Sequence, residues 1–285
     1  MLYFWTVIML SEDPHITAEQ TIIHPRYFMR LAYDGSQYHG WQRQPNAHTV
    51  QAEIESALCK LLRQQPVITT GCGRTDAGVH ASDFYLHFDV EKEIEHPEDL
   101  MFKLNNCLPK DIGIYGIWRT ADKAHARFDA VQRSYEYHVH TRRIPFVRQF
   151  SSFYPYQLDV ESMNKAAAHL IGKKDFAVFC KAGGGQKSTI CDVRRAEWVD
   201  NGSQITFYIT ADRFLRNMVR AVVGTLFDVG KGKMSPDQFK ELMKESERAL
   251  AGDSVYPTGL LLTEVLYPED MMKLFTPMYS KLRIG

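Results

Sequence analysis

The segment GCGRTDAGVHA, residues 71–81, places one arginine and one carboxylate in a short loop rich in glycine. It follows an apolar run, residues 67–70, that predicts a β-strand. Two glycines two positions apart after a strand are typical of a dinucleotide-binding turn, but that turn needs a glycine or alanine at position 76. Position 76 is an aspartate, so the segment does not fit a pyrophosphate cradle.

Asp76 and Arg74 can be interpreted in two ways. An aspartate before Ala-Gly is common in β-turns, and an exposed ion pair with Arg74 would contribute little stability. Alternatively, a guanidinium holds the carboxylate ionised in a loop whose glycines allow the backbone of another molecule to approach. The spacing alone favours the turn and leaves the second interpretation open.

Three other motifs carry weaker signals. KAGGGQKS, residues 181–188, lacks the glycine that a P-loop requires before its lysine, so a surface loop is favoured. GKGK, residues 230–233, is explained by Gly230 ending a helix, with lysines near the negative helix end. His138 and His140 share one face of a predicted strand, but without a third ligand a metal site is not favoured.

The composition is that of an ordinary globular protein. Of 285 residues, 45% are hydrophobic and 24% charged, and the formal net charge is zero. Residues 1–25 hold three acidic residues and no lysine or arginine, so the remainder, with 34 basic and 31 acidic residues, carries a charge of +3. This charge permits a nucleic-acid partner without requiring one.

The five cysteines are widely spaced and form no C-x-x-C pair. They predict neither a disulfide framework nor a zinc site, and they suit a reducing cytosol. The N-terminus starts with about ten apolar residues, whereas a membrane span needs ~20. It also lacks the basic region and cleavage site of a signal peptide, so we interpret residues 1–25 as an extension.

Hydrophobic periodicity predicts a β-α-β-β-α-β order that occurs twice. The first half has strands at 27–33, 67–70, 84–90 and 112–118, a helix after the N-cap Thr49, and a helix over 97–107. The second half has a strand at 134–141, a helix capped by Asp159, strands at 196–199 and 205–211, helices over 214–229 and after Ser235, and a strand at 259–266. The sequence thus predicts an α+β fold of two ferredoxin-like, or RRM-like, halves, residues 26–125 and 126–285, with antiparallel sheets that meet around a central RNA-binding cleft.

Five motifs, in order along the chain, resemble the tRNA pseudouridine synthase A family. They are YDGSQYHGWQRQ (33–44), GRTDAGVHA (73–81), HARFDAVQRSYEYHV (125–139), FLRNMVRAVVGTL (214–226) and TGLLL (258–262). The resemblance extends from about residue 27 to about residue 268. One such motif would be suggestive, whereas five in register are highly specific.

The resemblance implies an enzyme that isomerises uridine to pseudouridine on the 3′ side of the anticodon stem and loop of tRNA, at about tRNA positions 38–40. It implies a cytoplasmic homodimer that uses no cofactor. Asp76 matches the essential aspartate of the family, and Arg74 is its neighbour in the motif. Tyr135 matches the active-site tyrosine, and Arg220 matches the arginine that pairs with the aspartate.

The resemblance also implies that basic residues of the loops contact phosphates. Arg43, next to Trp41 and Gln42, is a candidate RNA contact, as are Lys181 and Lys187. Two segments depart from the family pattern: residues 175–187 run through Lys181 and three glycines where many members carry an arginine-containing loop, and residues 253–257 differ from the usual Ala-Pro-rich spacing. These departures concern substrate contacts and the C-terminal wall of the pocket.

The implied reaction breaks the C1′–N1 bond, turns the detached uracil and joins C1′ to C5. Asp76 would either attack the base or sugar covalently or remove the C2′ proton to give a glycal, and the sequence leaves both routes open. Tyr135 would stack on a uracil that has left its stack, with its hydroxyl near the C5 proton. The alternative, a non-catalytic RNA-binding module on the same scaffold, does not explain a carboxylate that faces polyanionic RNA.

Overall fold

The computed structural model describes residues 24–181 and 188–275. Most of the predicted N-terminal extension, residues 1–23, and the candidate RNA contact Lys187 lie outside the described residues. Within those ranges the chain forms the strands β1 (Arg26–Tyr33), β2 (Thr69–Gly71), β3 (His80–Asp89), β4 (Ile112–Arg119), β5 (Gln132–His140), β6 (Ser152–Phe153), β7 (Gly172–Asp175), β8 (Ile190–Asp200), β9 (Gln204–Ala211) and β10 (Leu260–Leu266). The α-helices are α1 (Val50–Leu62), α2 (Pro97–Cys107), α3 (Val160–Ala167), α4 (Met218–Gly230), α5 (Pro236–Leu242) and α6 (Glu269–Leu274).

Helix starts that depend on local capping are confirmed. The side chain of Thr49 accepts a hydrogen bond from the Ala52 N–H and caps α1, and Asp159 caps α3 in the same way. Pro97 occupies the first turn of α2. The predicted capping box is present at the start of α5, where Ser235 and Gln238 satisfy each other's backbone N–H groups.

The strands form one continuous ten-stranded sheet, so the sheets predicted for the two halves are joined through strand pairing. The strand order is β4-β1-β3-β10-β5-β9-β8-β7, with β2 paired to β3 and β6 paired to β5. Most neighbours are antiparallel, but the two-residue strand β6 pairs with β5 in parallel, and β10 pairs with β3 in parallel, through Leu261 and Leu262 opposite His80 and Ala81. The parallel contact of β10 with β3 joins the two halves edge to edge, because β2 occupies only the other end of β3.

Several element boundaries differ from the prediction for identifiable reasons. Strand β3 begins at His80 rather than at residue 84 because its first residues pair with β10. Strand β8 begins at Ile190 because β7, which the pattern did not reveal, pairs with its first residues. Helix α4 begins at Met218 rather than at residue 214, since Asn217 has a φ of 64° and a left-handed residue cannot lie inside an α-helix.

Two hydrophobic clusters cover the sheet, one in each half. The C-terminal part of the chain contributes to the first cluster, because Val265, Tyr267 and Phe275 pack with the residues of β1 and β3. Tyr135 on β5 packs against both clusters. The two halves are therefore joined by side-chain packing as well as by strand pairing.

The five cysteines all lie within the described residues, and none of them forms a disulfide. Among the described residues, no helix combines the length and the apolar character that crossing a membrane requires.

Candidate active site

Asp76 and Arg220 meet where the two halves join. Asp76 lies in the loop between β2 and β3, and Arg220 lies in the first turn of α4. The Arg220 Nη1 atom is 3.3 Å from the Asp76 Oδ2 atom, and their side chains are 21% and 32% exposed. The carboxylate is thus paired with a cation from the other half of the chain while one part of it stays open to solvent.

A second hydrogen bond orients the Arg220 guanidinium. Its Nε atom donates to the Val255 carbonyl at 2.8 Å, and the Val255 N–H donates back to the Arg220 carbonyl at 3.2 Å. The segment around Val255 can lie this close to α4 because Gly224 has no side chain, since a Cβ there would be 1.7 Å from the Asp253 carbonyl oxygen. The glycine in the motif FLRNMVRAVVGTL therefore serves to position the arginine of the same motif.

The segment that follows β1, residues 35–41, lies against the Asp76 loop, and we call this segment the platform. A Cβ at Gly40 would be 2.4 Å from the Thr75 carbonyl oxygen and 3.1 Å from the Asp76 carbonyl carbon, and Gly40 has a φ of +91°. The Trp41 N–H donates to the same Thr75 carbonyl at 3.3 Å. A Cβ at Gly35 would be 2.0 Å from the Val79 carbonyl oxygen. The two glycines of YDGSQYHGWQRQ let this platform touch the backbone of the loop on both sides of Asp76.

The loop itself is a tight turn anchored at its C-terminal end. The Val79 N–H donates to the Asp76 carbonyl at 3.2 Å, and Gly78 has a φ of +77°. A Cβ at Gly78 would be 2.9 Å from the Pro257 side chain. Gly78 therefore serves the turn and its packing against the other half, whereas Gly73 has open space where its side chain would be.

Tyr135 lies beside this loop on the face of β5 that packs against the helices. It is half-buried, and its ring contacts Phe214 edge-on with centroids 5.1 Å apart. Burial raises the pKa of Tyr135 well above its ordinary value, with smaller contributions that include the negative charge of Asp76. The phenol therefore stays protonated at neutral pH, so it can stack on a base or donate a hydrogen bond.

Two of the predicted arginines make contacts other than those expected. The Arg74 Nε atom donates to the Gln42 Oε1 atom at 3.1 Å, so the ion pair that the structure shows for Asp76 is with Arg220 and not with Arg74. The Arg43 Nη1 atom is 3.0 Å from the carboxylate of the buried Glu55 on α1. Both arginine side chains are exposed beside the platform.

Lys181 is exposed, and its N–H donates to the Arg216 carbonyl at 3.1 Å near the start of α4. A depression of about 270 Å³ is lined by residues that include Ser134, Tyr135, Glu136 and Glu264 but neither Asp76 nor Arg220. Ser134 and Glu136 flank Tyr135 in β5, and the alternation of side chains along a strand directs them to the other face of the sheet. We assign the functional site from the convergence of Asp76, Arg220 and Tyr135 instead of from this depression.

Sequence reasoning gave no role to Arg133, although it is part of a quoted motif. The Arg133 guanidinium donates four hydrogen bonds, all to backbone carbonyl groups, and one of them reaches the Cys72 carbonyl at 3.0 Å. Cys72 belongs to the segment that enters the Asp76 loop. The one sequence signal for Arg133 was its position two residues before Tyr135 in the same predicted strand.

Comparison with known proteins gives concordant results. The sequence matches the family described as tRNA pseudouridine synthase over residues 30–129 and 166–268. A protein of Bacteroides fragilis named tRNA pseudouridine synthase A is 45% identical over 249 residues, which are 87% of this chain and 98% of that protein. Proteins with the same name from Parabacteroides distasonis and Exiguobacterium sibiricum are 46% and 38% identical, each over 86% of this chain and over 97% and 98% of their own lengths.

The substitution Gly40→Ala tests the platform. Its Cβ would press on the backbone of Thr75 and Asp76, so we expect at least a tenfold fall in turnover, because small displacements of a reacting group are costly. The control is Gly202→Ala, since Gly202 has a φ of +81° and open space around its Cβ position. Both variants lose about 1–2 kcal/mol of folding free energy through the strained φ, and Gly40→Ala should lose more because its Cβ overlaps the Thr75 carbonyl oxygen, as urea denaturation would measure. If Gly40→Ala matched the control in both stability and turnover, the proposed contact would have no functional role.

Proposed function

The chain belongs to the tRNA pseudouridine synthase family, and we propose that it isomerises uridine to pseudouridine in the anticodon stem and loop of tRNA. The observation that carries the proposal is the 3.3 Å contact between Asp76 and Arg220, two side chains 144 residues apart in sequence. A module that only bound RNA would gain nothing from a part-exposed carboxylate facing phosphates. An enzyme that must act on a ribose or a base at neutral pH needs such a group.

Asp76 is the proposed reacting group. Its carboxylate is paired with the Arg220 guanidinium, and both available routes use an ionised carboxylate. In one route the carboxylate forms a covalent bond with the base or sugar, and in the other it removes the C2′ proton to give a glycal. Either route breaks C1′–N1 and forms C1′–C5, while C5 loses a proton and N1 gains one, so no atoms are added overall.

Arg220 and Tyr135 are proposed to support this step. Arg220 fixes the direction of the carboxylate, because its own guanidinium is held by the Val255 carbonyl. Tyr135 offers an aromatic face for a uracil that has left its stack, and its phenol can donate a hydrogen bond. Arg74, exposed at the edge of the loop, is proposed to contact the RNA backbone together with Arg43, Lys181 and Lys187.

The repeated strand order supports our proposal of two ferredoxin-like units. In the first half the order is β4-β1-β3, with β2 on the side of β3 that faces away from β1. In the second half the order β10-β5-β9-β8 is its counterpart. We place the boundary between the units at residues 125 and 126, as the sequence indicates. The extension before residue 26 is proposed to lie outside the first unit.

We further propose a cytoplasmic homodimer in which one tRNA spans both subunits. The supporting argument is electrostatic, since a zero formal net charge gives one subunit little general attraction for RNA. Light scattering of the purified protein should give twice the mass of the 32.8 kDa chain. A monomer that is fully active would contradict this part of the proposal.

The direct test of the function uses tRNA transcripts that carry no modification. The protein alone, without any added cofactor, should form pseudouridine, and chemical mapping should place it on the 3′ side of the anticodon arm. A transcript with cytidine at the mapped positions is the control. Binding of the transcripts without any pseudouridine would identify an RNA-binding module instead, and pseudouridine elsewhere in the tRNA would refute the proposed target region.

A further inference from the structure

The Arg133 side chain donates hydrogen bonds to three segments that are separate in sequence. Its Nη1 atom donates to the carbonyls of Ala130 at 2.7 Å and Asp212 at 2.8 Å. Its Nη2 atom donates to the carbonyls of Cys72 at 3.0 Å and Arg127 at 2.6 Å. The guanidinium thus fixes the distance between the Asp76 loop, the segment before β5 and the segment before α4.

Each of these segments carries another arginine within two residues of a carbonyl group that accepts from Arg133. Arg127 is itself one of the acceptors, Arg213 follows Asp212 directly, and Arg74 lies two residues after Cys72. Arg74 and Arg127 are exposed and Arg213 is half-buried. Partial burial, followed by the positive charges of Arg74, Arg133 and Arg213, lowers the pKa of Arg127. The hydrogen bonds of Arg133 hold the backbones that carry these arginines together.

No carboxylate neutralises this group within the described residues. The arginines that form ion pairs there do not include Arg74, Arg127, Arg133 or Arg213. Three carboxylates lie within two residues of these arginines, and each has other partners. Asp76 pairs with Arg220, Asp129 accepts from the His125 N–H, and Asp212 accepts from the N–H groups of Asp192 and Arg213. Like charges held together without a counterion repel one another, so the arrangement is stabilised by binding an anion.

The position of the group identifies the anion. Arg74 is two residues from Asp76, and Arg133 is two residues from Tyr135. A nucleotide that presents its base and ribose to Asp76 necessarily brings its flanking phosphates to the surrounding surface. Guanidinium groups bind phosphate oxygens in bidentate fashion, which suits several arginines around one phosphodiester.

We propose that Arg74, Arg127 and Arg213 form a clamp for the RNA phosphates next to the target uridine, with Arg133 as the positioning residue that holds the clamp together. This inference rests on the proposed function and adds to it the part of the substrate that the three arginines bind. The phosphate clamp also couples binding to catalysis, because Arg133 ties it to the segment that enters the Asp76 loop.

The test measures the affinity of the full-length protein for an unmodified tRNA transcript over a range of salt concentrations. It uses an Asp76→Asn background so that no turnover occurs. Arg127→Gln and Arg213→Gln should each reduce the slope of log affinity against log salt by about one unit and weaken binding about tenfold at ~0.1 M salt. The matched control is Lys103→Gln, which removes one exposed charge from α2.

Two further arms make the test specific. In the first arm, each phosphate that flanks the target uridine is replaced in turn by an uncharged methylphosphonate. Replacement of one of these phosphates should weaken binding, and Arg127→Gln should cause no further loss of affinity for that modified tRNA. Arg133→Lys keeps the charge but cannot reach four carbonyl groups, so it should still lower the slope. Circular dichroism checks that each variant is folded.

The clamp is refuted if both glutamine variants match Lys103→Gln in slope and affinity, or if Arg127→Gln has the same effect whether or not the flanking phosphates are charged. An unchanged slope in folded Arg133→Lys would refute the role of Arg133. These outcomes differ from a failure of the proposed function, in which the unaltered protein would form no pseudouridine at all.

Discussion

A carboxylate that is proposed to react with RNA must be fixed in place beside a polyanion, and the contact between Asp76 and Arg220 holds it there. Neither half could provide this contact alone, because the aspartate belongs to the first half of the chain and the arginine to the second. The continuous sheet is what brings them together. Its parallel pairing of β10 with β3 places the end of the Asp76 loop beside the segment that holds Arg220.

Close contacts between backbone segments position Asp76 and Arg220. Gly40 lets the platform lie against the Asp76 loop, and Gly224 lets the segment containing Val255 lie against α4. In each case the missing Cβ allows a carbonyl group to approach to a distance that no other residue would permit. The glycines of these motifs thus act indirectly, by fixing the two side chains that we propose to react and to orient.

The sequence predicted the elements whose determinants are local. Helix α1 begins where Thr49 can cap it and α2 begins at Pro97, because a cap or a fixed φ acts within one turn. The start of α4 was wrong because periodicity does not reveal that Asn217 adopts a left-handed conformation. The joining of the two sheets was missed as well, since pairing between β3 and β10 depends on residues about 180 positions apart.

In the candidate site too, some features follow from local sequence and others depend on distant segments. Residue type and resemblance predicted Asp76, Tyr135 and Arg220 as site residues, and that assignment stays a prediction. Adjacency in sequence suggested Arg74 as a partner of the carboxylate, but the Arg74 side chain donates to Gln42. The role of Arg133 was not predictable, because four carbonyl acceptors from separate segments leave no periodic signal.

The measurement that tests the central claim most directly is single-turnover pseudouridine formation by Asp76→Asn on one tRNA, with binding measured in parallel. Asparagine keeps the shape of the side chain but removes its charge and its ability to act as nucleophile or base. The account predicts turnover at the detection limit with tRNA affinity close to that of the unaltered protein, or higher, because one negative charge near phosphate is gone. Turnover at the unaltered rate would contradict the claim that Asp76 reacts, and a parallel loss of binding would show that Asp76 is a structural residue of the turn.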